Sequence, residues 1–257
     1  MNIAVKDDPA TVAAIGIFAY LSADIAHHAM GHGGACLLTG GTINLLSSVF
    51  VDCSLRGAVI DLAGPFANLT CGVIALLLSA RAFAPASKLF WILAAAFNLF
   101  WFEMQMAFSA ATRTDDWAWP IQQFGIADIW RYALIVAGLI AYRLTIQLIA
   151  KRFAPYATAK SRVQQIAFIS WISAGLLALL TASFDHHPAN AIWHYALPQS
   201  MLLSLGLLFI PGRIKHFLPS ETGGTAITYS RYWTVMALLT AVMSIALLGP
   251  GINLMAL

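Results

Sequence analysis

Seven long apolar runs leave this chain few ways to fold. They cover roughly residues 10–38, 58–80, 89–111, 129–150, 163–183, 193–210 and 233–248. A helix needs about 20 mostly apolar residues to cross the hydrocarbon core of a bilayer, and apolar runs of that length read as helices rather than strands. The expected fold is all-α: a polytopic membrane bundle of about seven transmembrane helices. Composition closes off the alternatives. Charged residues are only 10% of the chain and apolar residues 60%, whereas a soluble domain carries about 25% charged. Disordered segments are poor in apolar residues. A net charge of +3 with no dense basic run excludes a nucleic-acid partner. Asp7 and Asp8 stand where a secretory signal wants positive charge. Without a repeat or a linker, residues 1–257 read as one domain, with a metal-site half over about 10–120 and further helices over about 129–250.

The loops sort their charge. The N-terminal tail and the even-numbered connections carry Lys6, Arg81, Lys88, Arg143, Lys151, Arg152, Lys160, Arg162, Arg213, Lys215 and Arg231; the odd-numbered ones carry only Arg56, Arg113 and Arg131. Cytoplasmic loops are enriched in Lys and Arg, so the N-terminus is expected in the cytoplasm. An inner membrane of bacterial type is the expected location. That orientation gathers His27, His28, His32, Asp61, Glu103, Asp115, Asp116, Asp185, His186, His187 and His194 in the outer layer, leaving His216 elsewhere. Ionisable residues in spans are costly and mark a site or an internal pair.

The segment from Asp24 to Gly34 holds the densest chemistry. On an α-helix, residues four apart share a face, so Asp24, His28 and His32 form a stripe. Two imidazoles at that spacing can grip one zinc ion. The plain alternative is histidines that hydrogen-bond within the bundle. Gly31 removes bulk, so that another backbone can come close.

His28-Ala-Met-Gly-His32 resembles the zinc-binding His-Glu-x-x-His of the site-2 protease class of intramembrane metallopeptidases (family M50). Ala63-Gly64-Pro65-Phe66-Ala67-Asn68 resembles that family's Ala-Gly-Pro-x-Ala-Asn segment. The resemblance covers roughly residues 15–119. It implies one Zn2+ held by His28, His32 and an Asp after a later span, here Asp116 of the Asp115-Asp116-Trp117 run. It implies substrate-positioning roles for Gly64, Pro65 and Asn68, and a transmembrane peptide as substrate. The plain readings are a shaped helix start and an Asn bonded to a neighbouring helix. Asp61 could orient a ligand histidine or cap its helix.

The sequence departs from that family at one position. The general-base glutamate would fall at residue 29, which is Ala29. A second register pairs His27 with His32 through a one-residue bulge and puts His28 in the glutamate's place. Neither supplies a carboxylate. Glu103 is the substitute expected in the same layer, against the alternative of a buried acid bonded to Asn98 or Gln105; His27 could also act as a base. Family members commonly carry zinc toward the cytoplasm, while the loop charges here place the histidine layer outside.

Asp185-His186-His187-Pro188 reads as a metal-binding or a solvated interfacial turn. Cys36 and Cys53 flank a Gly-, Ser- and Thr-rich segment that either folds back and bridges them or leaves them as unpaired small residues. Cys71, deep in the second run, is expected to stay reduced. The functional expectation is a zinc metallopeptidase-like membrane hydrolase with an atypical base. The alternatives are an inactive relative that binds metal or a partner helix in the bilayer, a seven-span zinc-dependent lipid amidohydrolase, and a transporter.

Overall fold

The structure, a computed structural model, describes residues 6–214 and 225–254; Lys215 and His216 lie outside them. Every expected run is a helix long and apolar enough to cross a membrane, and the chain is an integral membrane protein. The first span, Pro9–Leu38, joins α1 (Pro9–Ile25), a π-helical stretch (Ala26–Gly33) and α2 (Gly34–Leu38). The Asp8 side chain caps α1 by accepting from the Thr11 N–H at 2.8 Å, and Pro9 fits its first turn. A hairpin follows, β1 (Ile43–Leu46) against β2 (Val51–Cys53). Next come α3 (Ala58–Arg81), α4 (Pro85–Thr112), the short α5 (Asp115–Gln123), α6 (Ile129–Arg152) and α7 (Lys160–Ala182). The sixth span, Pro188–Gly212, runs from the one-turn α8 (Pro188–Asn190) through two π-helical segments to α9 (Gly206–Phe209) and a closing 3₁₀ turn. Pro198 begins the second π segment. The seventh span is α10 (Arg231–Met243) continued by a π turn to Leu248.

α4 is the central pillar. Of its most apolar window 83% is buried, against 11% for the seventh span at the margin. It packs against α1, α3 and α6, and Phe97, Phe100 and Trp101 fill the space between them.

The connections sort onto two faces. On one, Cys36 and Cys53 form a disulfide, with Cα atoms 5.9 Å apart. A third strand, β3 (Ile252–Asn253), pairs antiparallel with β1, so the end of the last span returns to the hairpin that follows the first. On the other face, the Arg162 guanidinium donates to both Asp7 oxygens at 2.7 Å and to the Thr225 carbonyl. Asp8 N–H donates to Ile227 O at 2.8 Å, and the Tyr156 hydroxyl to Pro85 O at 2.7 Å. Tail, second, fourth and sixth connections therefore meet, as seven crossings require. Arg143, read above as a loop residue, instead lies inside α6.

Candidate metal centre

The first span changes pitch where its histidines lie. In a π-helix the hydrogen bond runs from i to i+5, so residues five apart become neighbours. His27 and His32 share a face in this stretch, and the four-residue stripe of Asp24, His28 and His32 is split. His32 Nε2 lies 3.1 Å from His27 Nε2.

Asp116 completes the cluster. Its Oδ2 is 3.0 Å from His27 Nε2 and 3.2 Å from His32 Nε2. Among the described residues this is the group of three or more metal-capable side chains. Its position comes from α5, which lies across the ends of α3 and α4. Arg113, at φ 62°, turns the chain out of α4. The Ser109 hydroxyl then accepts from Trp117 N–H at 3.1 Å and Ala118 N–H at 2.9 Å. At its far end Gln123 accepts from Ala58 N–H at 2.9 Å. Gln105 of α4 donates to Asp116 Oδ2 at 2.8 Å.

Both imidazoles are braced from behind. Asn68 of α3 donates through Nδ2 to Ala23 O and Asn98 Oδ1, each at 2.9 Å. That leaves its Oδ1 to accept from His27 Nδ1 at 2.6 Å. His32 Nδ1 donates to the Ile60 carbonyl at 2.7 Å; this carbonyl, rather than the neighbouring Asp61 carboxylate, orients the ring. With both Nδ1 atoms committed as donors, each Nε2 presents a lone pair to the shared point, and Asp116 adds a carboxylate oxygen. Three possible ligand atoms facing one another at 3.0–3.2 Å could hold a cation between them. Tetrahedral ligands about 2.0–2.1 Å from zinc lie roughly 3.3 Å from one another, so the set fits such an ion. Beside Asp116, burial first and then the Asp116 charge push the Asp115 carboxyl up to about 7.

Two glycines let these elements meet. A Cβ on Gly31 would stand 2.5 Å from Gly64 Cα, and a Cβ on Gly64 would run into the His32 ring. Gly64 and Asn68 are thus engaged with the histidines themselves. Pro65 is buried within α3, where its missing N–H leaves the Asp61 carbonyl without its helical donor. Trp101 stacks on His27 at 4.7 Å.

Other expected site residues fall elsewhere. His28 is not in the cluster: its Nδ1 pairs with Asp24 Oδ1 at 3.2 Å, because the π register rotates it away from His32. Both line an apolar cavity of about 470 Å³ between the first and seventh spans. Glu103 is buried but faces α6, where Thr145 donates to it at 2.5 Å. It bonds neither Asn98 nor Gln105, because it lies on the far side of α4 from them. His186, His187 and His194 are exposed and outside the cluster, with Asp185 bonding the His187 N–H. The sequence reading missed Ser109 and the roles of Asn98 and Gln105, which it weighed only as partners of Glu103. Buried amide and hydroxyl groups in an apolar helix were the available signal.

No family model, curated protein or solved structure matches this chain.

Proposed function

We propose that this protein is a membrane-embedded metal-dependent hydrolase of site-2-protease type, with one zinc ion held by His27, His32 and Asp116. The observation that carries the reading is the convergence of three side chains able to ligate a metal, two of them imidazoles whose Nδ1 atoms are fixed by Asn68 and Ile60. Such second-sphere bracing is what ligand histidines require. When bound, zinc acts as a Lewis acid on a carbonyl and brings the pKa of a coordinated water to about 7.

The remaining roles belong to the chain. His28 follows the first ligand directly, the place that the motif gives to its glutamate. Its Nδ1 is held by Asp24, and an imidazole braced in this way can take up and return a proton at Nε2. A peptide bond within or beside the membrane is the substrate this reading assigns, and the loop charges put the N-terminus in the cytoplasm and the site toward the opposite side. The test is metal analysis of the purified full chain with cleavage of a membrane-spanning reporter. Wild type should carry one zinc and cleave; Asp116→Asn should do neither. A chain that binds no divalent metal overturns the proposal.

A second reading has its own support. Neither position 28 nor 29 is a carboxylate, and Glu103 is engaged with α6. A protein that binds metal, or a partner helix, without hydrolysis would show stoichiometric zinc and an uncut reporter.

A further inference from the structure

On the opposite face from the histidine cluster, α6 and the end of the sixth span enclose a groove of about 570 Å³. Its chemistry is uneven. Leu139, Ile146 and Phe209 give it an apolar wall, with Leu139 and Phe209 half exposed. Arg143 and Arg213 give it two guanidinium groups. Among the described residues neither arginine side chain has a hydrogen-bond or ion-pair partner, and no carboxylate lines the groove. Elsewhere the chain behaves differently: Arg162 is locked onto Asp7, Arg113 onto Asp128, and Arg131 onto carbonyls of α4.

Two like charges facing one groove repel each other unless an anion lies between them. Arg143 also stands well inside a span, nine residues before Arg152 ends α6. A cation at such a place is costly until it reaches the interface or an anion. Guanidinium matches phosphate oxygens in a bidentate fork. Basic pockets between transmembrane helices, on the face where the Lys and Arg of the loops gather, suit anionic lipid headgroups. The remaining walls suit a hydrocarbon chain.

We propose that this groove binds an anionic phospholipid, its phosphate between Arg143 and Arg213 and an acyl chain along Leu139 and Phe209. A lipid rather than a free phosphate follows from the groove's flank on a membrane-crossing helix and from its half-exposed apolar wall. Gly212 offers an independent handle, because nothing lies within 4 Å of where its Cβ would be. A larger side chain at this lining position has open space at its Cβ among the described residues and is expected to take up groove volume.

The experiment uses the full chain in nanodiscs made with equal phosphatidylglycerol and phosphatidylcholine, extracted into detergent and examined by native mass spectrometry for retained lipid. Wild type is expected to retain phosphatidylglycerol selectively. Arg143→Gln with Arg213→Gln should lower that retention about tenfold or more. Gly212→Leu should lower it with both arginines intact, which separates groove filling from loss of charge. Equal retention of the two lipids, or wild-type retention in both variants, overturns the proposal. Displacement of phosphatidylglycerol by millimolar inorganic phosphate overturns it in favour of a soluble anion.

Discussion

His27 and His32 stand five residues apart and present their Nε2 atoms to each other at 3.1 Å. The relationship exists because the helix between Ala26 and Gly33 is wound as π rather than α. It changes which histidines can act together, and the expectations for mutants change with it.

The first expectation concerns the ligands. His27→Ala, His32→Ala and Asp116→Asn should each abolish stoichiometric zinc in the purified protein. His28→Ala should keep it, since His28 belongs to Asp24. Metal analysis by mass spectrometry checks all four. Loss of zinc in His28→Ala with retention in His27→Ala would restore the four-residue stripe.

Asn68 is the second. It touches no donor atom of the cluster directly, yet holds His27 through Nδ1. Asn68→Ala should weaken zinc binding about 10–100-fold while leaving the stoichiometry at saturation unchanged. Competition with a chromogenic chelator measures the affinity. An unchanged affinity would show that the bond does not orient the ring.

A third set addresses the base. In the π register the residue following the first ligand is His28, so a motif glutamate belongs there. His28→Glu should retain or raise cleavage of the membrane reporter, whereas His28→Ala should lower it by ~10²–10⁴. Ala29→Glu adds a carboxylate two positions beyond His27, outside the motif position of the π register, and should gain nothing. Glu103→Gln should be neutral, because Thr145 can bond the amide. A gain from Ala29→Glu alone would argue against the π register.

The disulfide supplies the fourth. Only Cys71 is free, so one thiol per chain should label without reductant and three after unfolding in reductant. Cys36 and Cys53 are separated by 17 residues, and removing a bridge across a loop of that size costs about 3 kcal/mol. Cys36→Ser should therefore lower the thermal midpoint in detergent. Three reactive thiols in the untreated protein would contradict the bond.

The spans were legible because hydrophobic length is a local property: Ile129 to Arg152 can be read as a crossing without knowing its neighbours. The two cysteines were legible as a question, since a Gly- and Ser-rich segment between them permits a hairpin. His32 and Asp116 were legible as chemistry. The choice of His27 over His28 was left open by spacing: a period of 3.6 residues pairs His28 with His32, and a one-residue bulge pairs His27 with His32. The winding is decided by tertiary contacts, here by Gly31 against Gly64 and by Asn68 pulling His27 toward α3. Glu103 was misplaced for a related reason. Its depth in the span is set by sequence, but the face it shows depends on α6, and Thr145 lies 42 residues away.

Cys36 lies four residues beyond His32 on the same continuous span. As a free thiolate it would be a soft donor beside a zinc-type site, with Cys53 as a second one. Joined to Cys53, neither sulfur is a thiolate. Under the proposed metal-binding reading, the oxidised pair leaves His27, His32 and Asp116 without a thiolate competitor on the same span.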